Sequence, residues 1–569
     1  MRKIGLLWLG IALILVGGIF GWLTQTAGGI RIQDVRFIGT NGTLMSALLY
    51  IPANATAKTP APGVLAIHGY FNSREAHSGF AIEFARRGYV VLALDQTGHG
   101  YSAPPAFANG FGGPDGLKYL RSLDIVDKDN IGLEGHSMGG WAVLAAAAAF
   151  PNDYKALVLV GSSTGAPFAA EGTPTYPRNL AVVFSQYDEF APFMWRAPRG
   201  SDVGQSQKLW QVFGTQGPVE TGKVYGSIDS GTARVLFNPP VTHPQDHISP
   251  EAIGNALDWF QRTLKGGTPL PTTDQIWIWK EIGTLIALVG FVILLLGAFE
   301  TLLRLPYFAV LAAGPGTASR ERRDNLWWLA FLLTALIPAL TFFPLLALGA
   351  WLLPPSRVLP QGITNQLMVW AVLNGAITLV LMLLLRGKKT AFHTRIAQSI
   401  GIALLTVAIG YAALVAADLL FKIDFRFWFV GLKLMSRTQF IYFLLYLIPF
   451  TAFFIVALRA MHATLTVRGD SVAKQYVVNI LALTFGFLVF LAVEYGALFM
   501  TGKLILPTGD PQEALRTILA IQFVPLLLVA ATISTFVYRR TNSYLPGALI
   551  CGLVVAWYIV AGQPIHVAV

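Results

Sequence analysis

The sequence predicts two architectures in one chain: a doubly wound, mostly parallel α/β sheet and, after it, an all-α polytopic membrane domain. Three observations predict this. Short, wholly apolar β-rich runs alternate with helical patterns between residues 29 and 265. Eight long apolar segments follow. The composition, 54% hydrophobic and 12% charged over 569 residues, lies outside the soluble range and is too long for one core.

The net charge of +11 resides in short loops between apolar segments rather than along one polar face. That distribution fits membrane topology and argues against a nucleic-acid partner. The single cysteine, Cys551, sits inside an apolar run, which excludes a disulfide framework and argues against a cysteine-based zinc site or thiol nucleophile.

Residues 1–27 open with Arg2 and Lys3 and continue with about 20 apolar residues, enough to cross a bilayer. No small-residue cleavage pattern follows, so an uncleaved anchor is expected, its basic end cytoplasmic and the next domain outside. That domain is expected over 28–266. "RIQDVRFIGTNGTLMSALLYIPA" reads as a hairpin turned at Asn41-Gly42. "GVLAIHG", "YVVLALD", "NIGLEG", "ALVLVGSS", "LAVVFSQ" and "ARVLFNP" read as parallel strands, because they are apolar throughout instead of alternating. Helices are expected over 73–87, 138–150 and 250–264.

A Gly/Pro/Thr-rich linker is expected over 267–280 and the membrane domain over 281–569. Its apolar segments lie near 281–303, 326–353, 366–385, 396–421, 439–460, 475–500, 514–538 and 545–561, making nine spans with the anchor. The positive-inside rule then puts Arg320, Arg322, Arg323, Arg386, Lys388, Lys389, Arg459, Arg468, Arg539 and Arg540 on the cytoplasmic side. The basic, aromatic loop 422–437 is expected to lie flat in the interface. Pro338, Pro344, Pro449 and Pro525 are candidate kinks, though no broken-helix pattern is evident. Asp418 and Glu494 are the main ionisable residues within spans, and Glu300 with Arg304 reads as a helix-surface pair.

In "GHSMG", residues 135–139, a serine follows a strand and precedes a helix. A tight strand-to-helix turn leaves no room for side chains two residues either side, hence the glycines, and it lifts the hydroxyl toward a helix N-terminus. The motif, with "AIHGY" (66–70), "LDQTGHGYS" (94–102), "FSQYDEFAP" (184–192) and a late histidine segment, resembles the α/β-hydrolase superfamily, most closely its dienelactone-hydrolase and esterase-like members, over residues 29–265.

That resemblance implies an α/β-hydrolase fold and a serine, acid, histidine triad in chain order. Ser137 is the expected nucleophile. Asp188, at the C-terminal edge of the strand "LAVVFSQ", is the acid, with Glu189 as its possible replacement. His243, seven residues before Pro250, is the base, with His247 as the alternative. Backbone amides of Tyr70 and Met138 would form the oxyanion hole. His68 and His99 are expected to fix loop geometry. Only 15 residues, 165–179, follow "ALVLVGSS" before the next strand, so a cap domain is absent or very small. In the longer 189–232 segment Phe190, Phe193, Trp195, Trp210 and Phe213 either wall an acyl pocket or pack on the sheet.

The expected activity is that of a membrane-bound serine hydrolase cleaving an ester or thioester, of a small molecule or a lipid or acylated envelope component, beside membrane lipids and with no cofactor or metal. The alternative is a transporter or acyl-transfer protein with an accessory hydrolase domain.

Overall fold

The computed structural model describes residues 5–70, 73–313, 320–384, 395–506 and 510–568. Arg2, Lys3, Arg386, Lys388 and Lys389, expected on the cytoplasmic side, lie outside the described residues. The chain divides into two compact units. One comprises Phe20–Ile282 together with Glu494–Leu515 and Gly562–Val569; the other comprises Met1–Ile19, Gly283–Val493 and Arg516–Ala561. Two stretches from the second half of the sequence thus belong to the unit that carries the sheet.

That sheet has eight strands: β1 Arg31–Ile38, β2 Leu44–Ile51, β3 Ala61–Ile67, β4 Val90–Asp95, β5 Val126–His136, β6 Ala156–Val160, β7 Leu180–Val183 and β8 Arg234–Phe237. Their order is β1-β2-β4-β3-β5-β6-β7-β8. β1 and β2 form an antiparallel hairpin whose turn places Asn41 and Gly42 at φ 57° and 75°. β2 meets β4 antiparallel, and the neighbours from β4 through β8 are parallel.

Both faces of the parallel strands are covered, which is why they read as unbroken apolar runs. Val64, Ala66, Val91, Ala93, Val158, Val160, Ala181 and Val183 share a core with Phe80, Phe84, Ile253, Leu257, Trp259 and Phe260 from the helices Ser78–Arg86 and Pro250–Thr263. On the opposite face Leu65 and Leu94 lie against Gly116 of the helix Gly113–Ser122. Sequence reading assigned no element there, because Gly113, Pro114 and Gly116 mask the periodicity. The expected helix 73–87 begins as a single 3-10 turn, Arg74–His77. The helix from Pro250 carries proline at its first position and Ser249 as N-cap, the hydroxyl accepting from Ala252 N at 3.1 Å.

The expected linker is bound to the sheet unit. Glu83 accepts the backbone N–H groups of Ile276 and Trp277 at 2.6 and 3.0 Å, Arg87 donates to the Pro271 carbonyl, and Trp277 joins the core.

Among the described residues eight helices are long and apolar enough to cross a membrane, and nine spans result if one bent pair counts as a span. The bent pair, Asn325–Leu340 and Phe342–Leu352, turns through 48° beside the candidate kinks Pro338 and Pro344, a break that no pattern in the sequence marks. Pro338 removes one backbone rung, and the helix breaks at Thr341, whose hydroxyl bonds back to the Ile337 carbonyl. Pro344 falls in the first turn of the second helix, where the missing N–H costs nothing, and Pro449 and Pro525 lie inside continuous helices.

The loop 422–437 also differs from expectation. It forms a small antiparallel hairpin, Phe425–Phe427 with Val430–Leu432, in which Phe425, Arg426 and Lys433 are buried. Asp424 pairs with Arg426, so that buried guanidinium is neutralised inside protein. Arg323 pairs with Asp470 at 2.7 Å, Glu300 with both Arg304 and Arg540, and Asp418 with Lys422.

Candidate active site

β5 ends at His136, and Ser137 turns the chain into the helix Met138–Ala149 with φ 54° and ψ −121°. A non-glycine residue in that region stores about 1–3 kcal/mol of strain. The flanking glycines are required sterically: a Cβ on Gly135 would lie 2.2 Å from the Gly139 carbonyl, and one on Gly139 would lie 2.0 Å from the Ile67 carbonyl. The Ser137 amide donates to the Val160 carbonyl at 2.8 Å, tying the turn to β6.

The structure brings Ser137, His243 and Asp188 together from three loops at the C-terminal edge of the sheet. His243 Nε2 accepts from Ser137 Oγ at 2.9 Å, and His243 Nδ1 donates to Asp188 Oδ2 at 2.8 Å. Asp188 Oδ1 accepts the Phe190 amide at 2.8 Å, which fixes the carboxylate after β7. His243 opens the short turn His243–Ile248, capped reciprocally by Thr242 and Gln245. Glu189 does not take the place of Asp188; its Oε2 accepts the backbone N–H of His243 at 2.9 Å.

His247 is not at the serine. Its ring is buried against His136 and His77, at centroid distances of 4.0 and 5.4 Å, and neither ring nitrogen has a hydrogen-bond partner among the described residues. Burial, then the neighbouring histidines, holds its pKa well below the ordinary imidazole value, and the same holds for His136. For His243 burial also opposes the charge, but Asp188, with Glu189 and Asp246, outweighs it and raises the pKa. Glu189 is pushed up to about 7 by burial and by the charge of Asp188.

His136, His243 and Asp246 place ligating atoms within 4.8 Å of one another. A metal does not fit there without breaking existing bonds, since His243 Nδ1 is committed to Asp188 and His136 Nε2 donates to the His243 carbonyl at 3.1 Å.

The oxyanion candidates flank the nucleophile. Met138 opens its helix, where the first N–H groups have no intrahelical acceptor. A Cβ on Gly69 would lie 3.1 Å from Ser137 Cβ, so the chain entering Tyr70 runs directly against the serine. His68 Nδ1 donates to the Gly69 carbonyl at 2.7 Å while its Nε2 accepts the Gln96 amide, and His99 Nδ1 donates to the Thr97 carbonyl at 2.9 Å. The His68 ring therefore fastens two loops to one another, and the His99 ring braces its own loop.

Sequence reasoning missed His566, whose Nε2 bonds the Tyr70 hydroxyl at 2.9 Å. Ile565 holds it there through backbone bonds to Gly98 and Ala106. Nothing local in the sequence signals a contact across 496 positions. Of the five aromatic residues after Asp188, Phe190 lies 4.7 Å edge-on from the His243 ring and Phe193 approaches Trp141. Trp195 and Phe213 are buried packing groups, and the indole N–H of Trp210 is spent on the Gly204 carbonyl. Residues 165–179 contain no helix or strand, so no cap domain stands over the serine there.

The α/β hydrolase fold family profile matches residues 62–192. Over 112 residues, 20% of its length, the chain is 34% identical to a Mycobacterium phage D29 protein provisionally named as a non-heme haloperoxidase. Over 88 residues, 16% of its length, it is 36% identical to a 2-hydroxy-6-oxononadienedioate/2-hydroxy-6-oxononatrienedioate hydrolase of Cupriavidus pinatubonensis. These matches span 39% and 30% of the two relatives' own length. Among solved structures, an esterase of Pyrococcus furiosus aligns at 15% identity and TM-score 0.31, covering 43% of this chain and 95% of its own. With its sheet order, its serine elbow between β5 and the following helix, and the match over residues 62–192, the N-terminal domain has the α/β-hydrolase fold.

Proposed function

We propose that this chain is a membrane-bound serine hydrolase that cleaves an ester or thioester, with Ser137 as nucleophile, His243 as general base and Asp188 as its orienting acid. The observation that carries the reading is the continuous hydrogen-bond line from Ser137 Oγ through His243 to Asp188. His243 accepts the hydroxyl proton as Ser137 Oγ bonds to the carbonyl carbon. Asp188 holds the Nδ1–H tautomer and stabilises the imidazolium that forms. The amides of Tyr70 and Met138 receive the developing oxyanion. The imidazolium then gives its proton to the leaving alkoxide or thiolate. Water, deprotonated by the same ring, attacks the acyl carbon, and the ring returns that proton to Ser137 Oγ as the acid departs.

The candidate spans support a membrane location, and the basic loops support a hydrolase domain facing outward. A lipid or acylated envelope component, presented beside the bilayer, suits both. Substitution of Ser137 by alanine tests the reading: hydrolysis of p-nitrophenyl acetate should fall by several orders of magnitude with the protein still folded. Activity within tenfold of wild type removes Ser137 from the mechanism.

One observation favours a second reading, lipid or solute transport. The broken span Asn325–Leu340/Phe342–Leu352 frees backbone groups of the kind that line substrate paths within bilayers. Movement of a fluorescent phospholipid across vesicles, independent of Ser137, would support it.

A further inference from the structure

The loop that carries Asp188 is gripped by residues far away in sequence. Tyr187 meets Phe499 edge-on at 5.1 Å, and Gly502 packs under the Arg199 side chain. Between them, Tyr495 Oη donates to Glu189 Oε1 at 2.9 Å. Glu494 braces this stretch by accepting the Ile505 amide at 3.0 Å. Residues 494–515 belong to the same compact unit as the sheet.

Glu189 is held at both oxygens, since its Oε2 takes the backbone N–H of His243. Its carboxyl therefore links Tyr495 to the first residue of the histidine turn, and it does so beside Asp188, which fixes the other side of the ring. Small displacements of such a base are costly: a shift of about 1 Å loses on the order of 100-fold in rate.

We propose that Tyr495 is a positioning residue for His243, acting through Glu189, so that the hydrolase site is complete only with residues 494–506 in place. This rests on the triad reading given above.

Charge follows the same route. The ionisable groups around His243 are Asp188, Glu189, Asp246, His136 and His247, and Tyr495 bonds only Glu189 of these among the described residues. A hydroxyl donated to a carboxylate favours its ionised form. Ionised Glu189 in turn favours the imidazolium of His243. Loss of the Tyr495 hydroxyl therefore moves the acidic limb of the pH–rate profile to lower pH.

The test uses the full chain in detergent, with p-nitrophenyl acetate. Y495F should lower the plateau kcat by about 5- to 20-fold, leave KM within about twofold, and shift the acidic limb downward. E189A should lose a similar amount, and Y495F/E189A should lose no more than E189A alone. E189Q can still accept from the His243 amide and donate to Tyr495, so it should keep plateau kcat within about threefold while its acidic limb moves down. An unchanged kcat in Y495F, or a loss that adds in full to that of E189A, overturns the proposal. Should Y495F fail to fold, equal losses in E189Q and E189A do so. Failure of the triad reading shows separately, as activity retained by S137A; with S137A inactive, a silent Y495F overturns the role of Tyr495 alone.

Discussion

His243 Nε2 and Ser137 Oγ stand 2.9 Å apart, within reach of direct proton transfer. Neither ring nitrogen of His247, four residues on, has a hydrogen-bond partner among the described residues. The two histidines should therefore separate cleanly. H243A should lose turnover by several orders of magnitude together with fluorophosphonate labelling, while H247A, provided it folds, should keep labelling. Rates on p-nitrophenyl acetate and gel labelling of the same preparations check this.

The pH profile follows from the direction of the His243 shift. The neutral ring is the base, so activity is absent below the pKa and rises as pH passes through it. Asp188, Glu189 and Asp246 raise that pKa against burial, so the acidic limb should lie above the ordinary imidazole value of about 6.5. D188N should move the limb downward and lower kcat by about 10,000-fold. A limb below 6.5 in wild type counts against the charge arrangement described here.

Strain at the nucleophile predicts a trade between stability and activity. S137G, free to adopt φ 54°, should be more stable than S137A by about 1 kcal/mol, the relief of strain less the entropy cost of glycine. Both variants should be inactive. Thermal unfolding in detergent gives the comparison, and a lower melting temperature for S137G than for S137A would contradict it.

The elbow glycine Gly139 predicts a folding defect. Its missing Cβ would meet the Ile67 carbonyl at 2.0 Å, and the backbone on either side is packed. G139A should abolish labelling and lower the melting temperature of the hydrolase unit, by a cost of about 1–3 kcal/mol or more.

Orientation is testable by cysteine accessibility, since the single native cysteine is buried. With the hydrolase domain outside, the exposed positions Asp229 and Arg322 should behave oppositely. D229C should react with an impermeant maleimide on intact cells, and R322C only after permeabilisation. The reverse pattern overturns the outward assignment.

The sheet was legible because burial on both faces writes each parallel strand as a run of Val, Leu, Ile and Ala. The sequence offered Ser137, Asp188 and His243 as candidates because each follows a parallel strand, by one, five and six residues, on the loops at the sheet's C-terminal edge. What escaped reading had no local signature. The helix Gly113–Ser122 hides behind its glycines and proline, and the break at Thr341 needs more than the presence of Pro338. The hairpin within 422–437 sets Asp424 against Arg426, a pairing that a basic composition does not reveal. Tyr495 and His566 reach Glu189 and Tyr70 across 306 and 496 positions, and such contacts are set by tertiary packing alone.

The most direct test of the central claim is to treat the full-length protein with a fluorophosphonate and locate the adduct by peptide mass spectrometry. The serine hydrolase reading predicts a single adduct on Ser137, lost on prior denaturation and absent from H243A. An adduct on another residue, or none on an intact and folded protein, would contradict it.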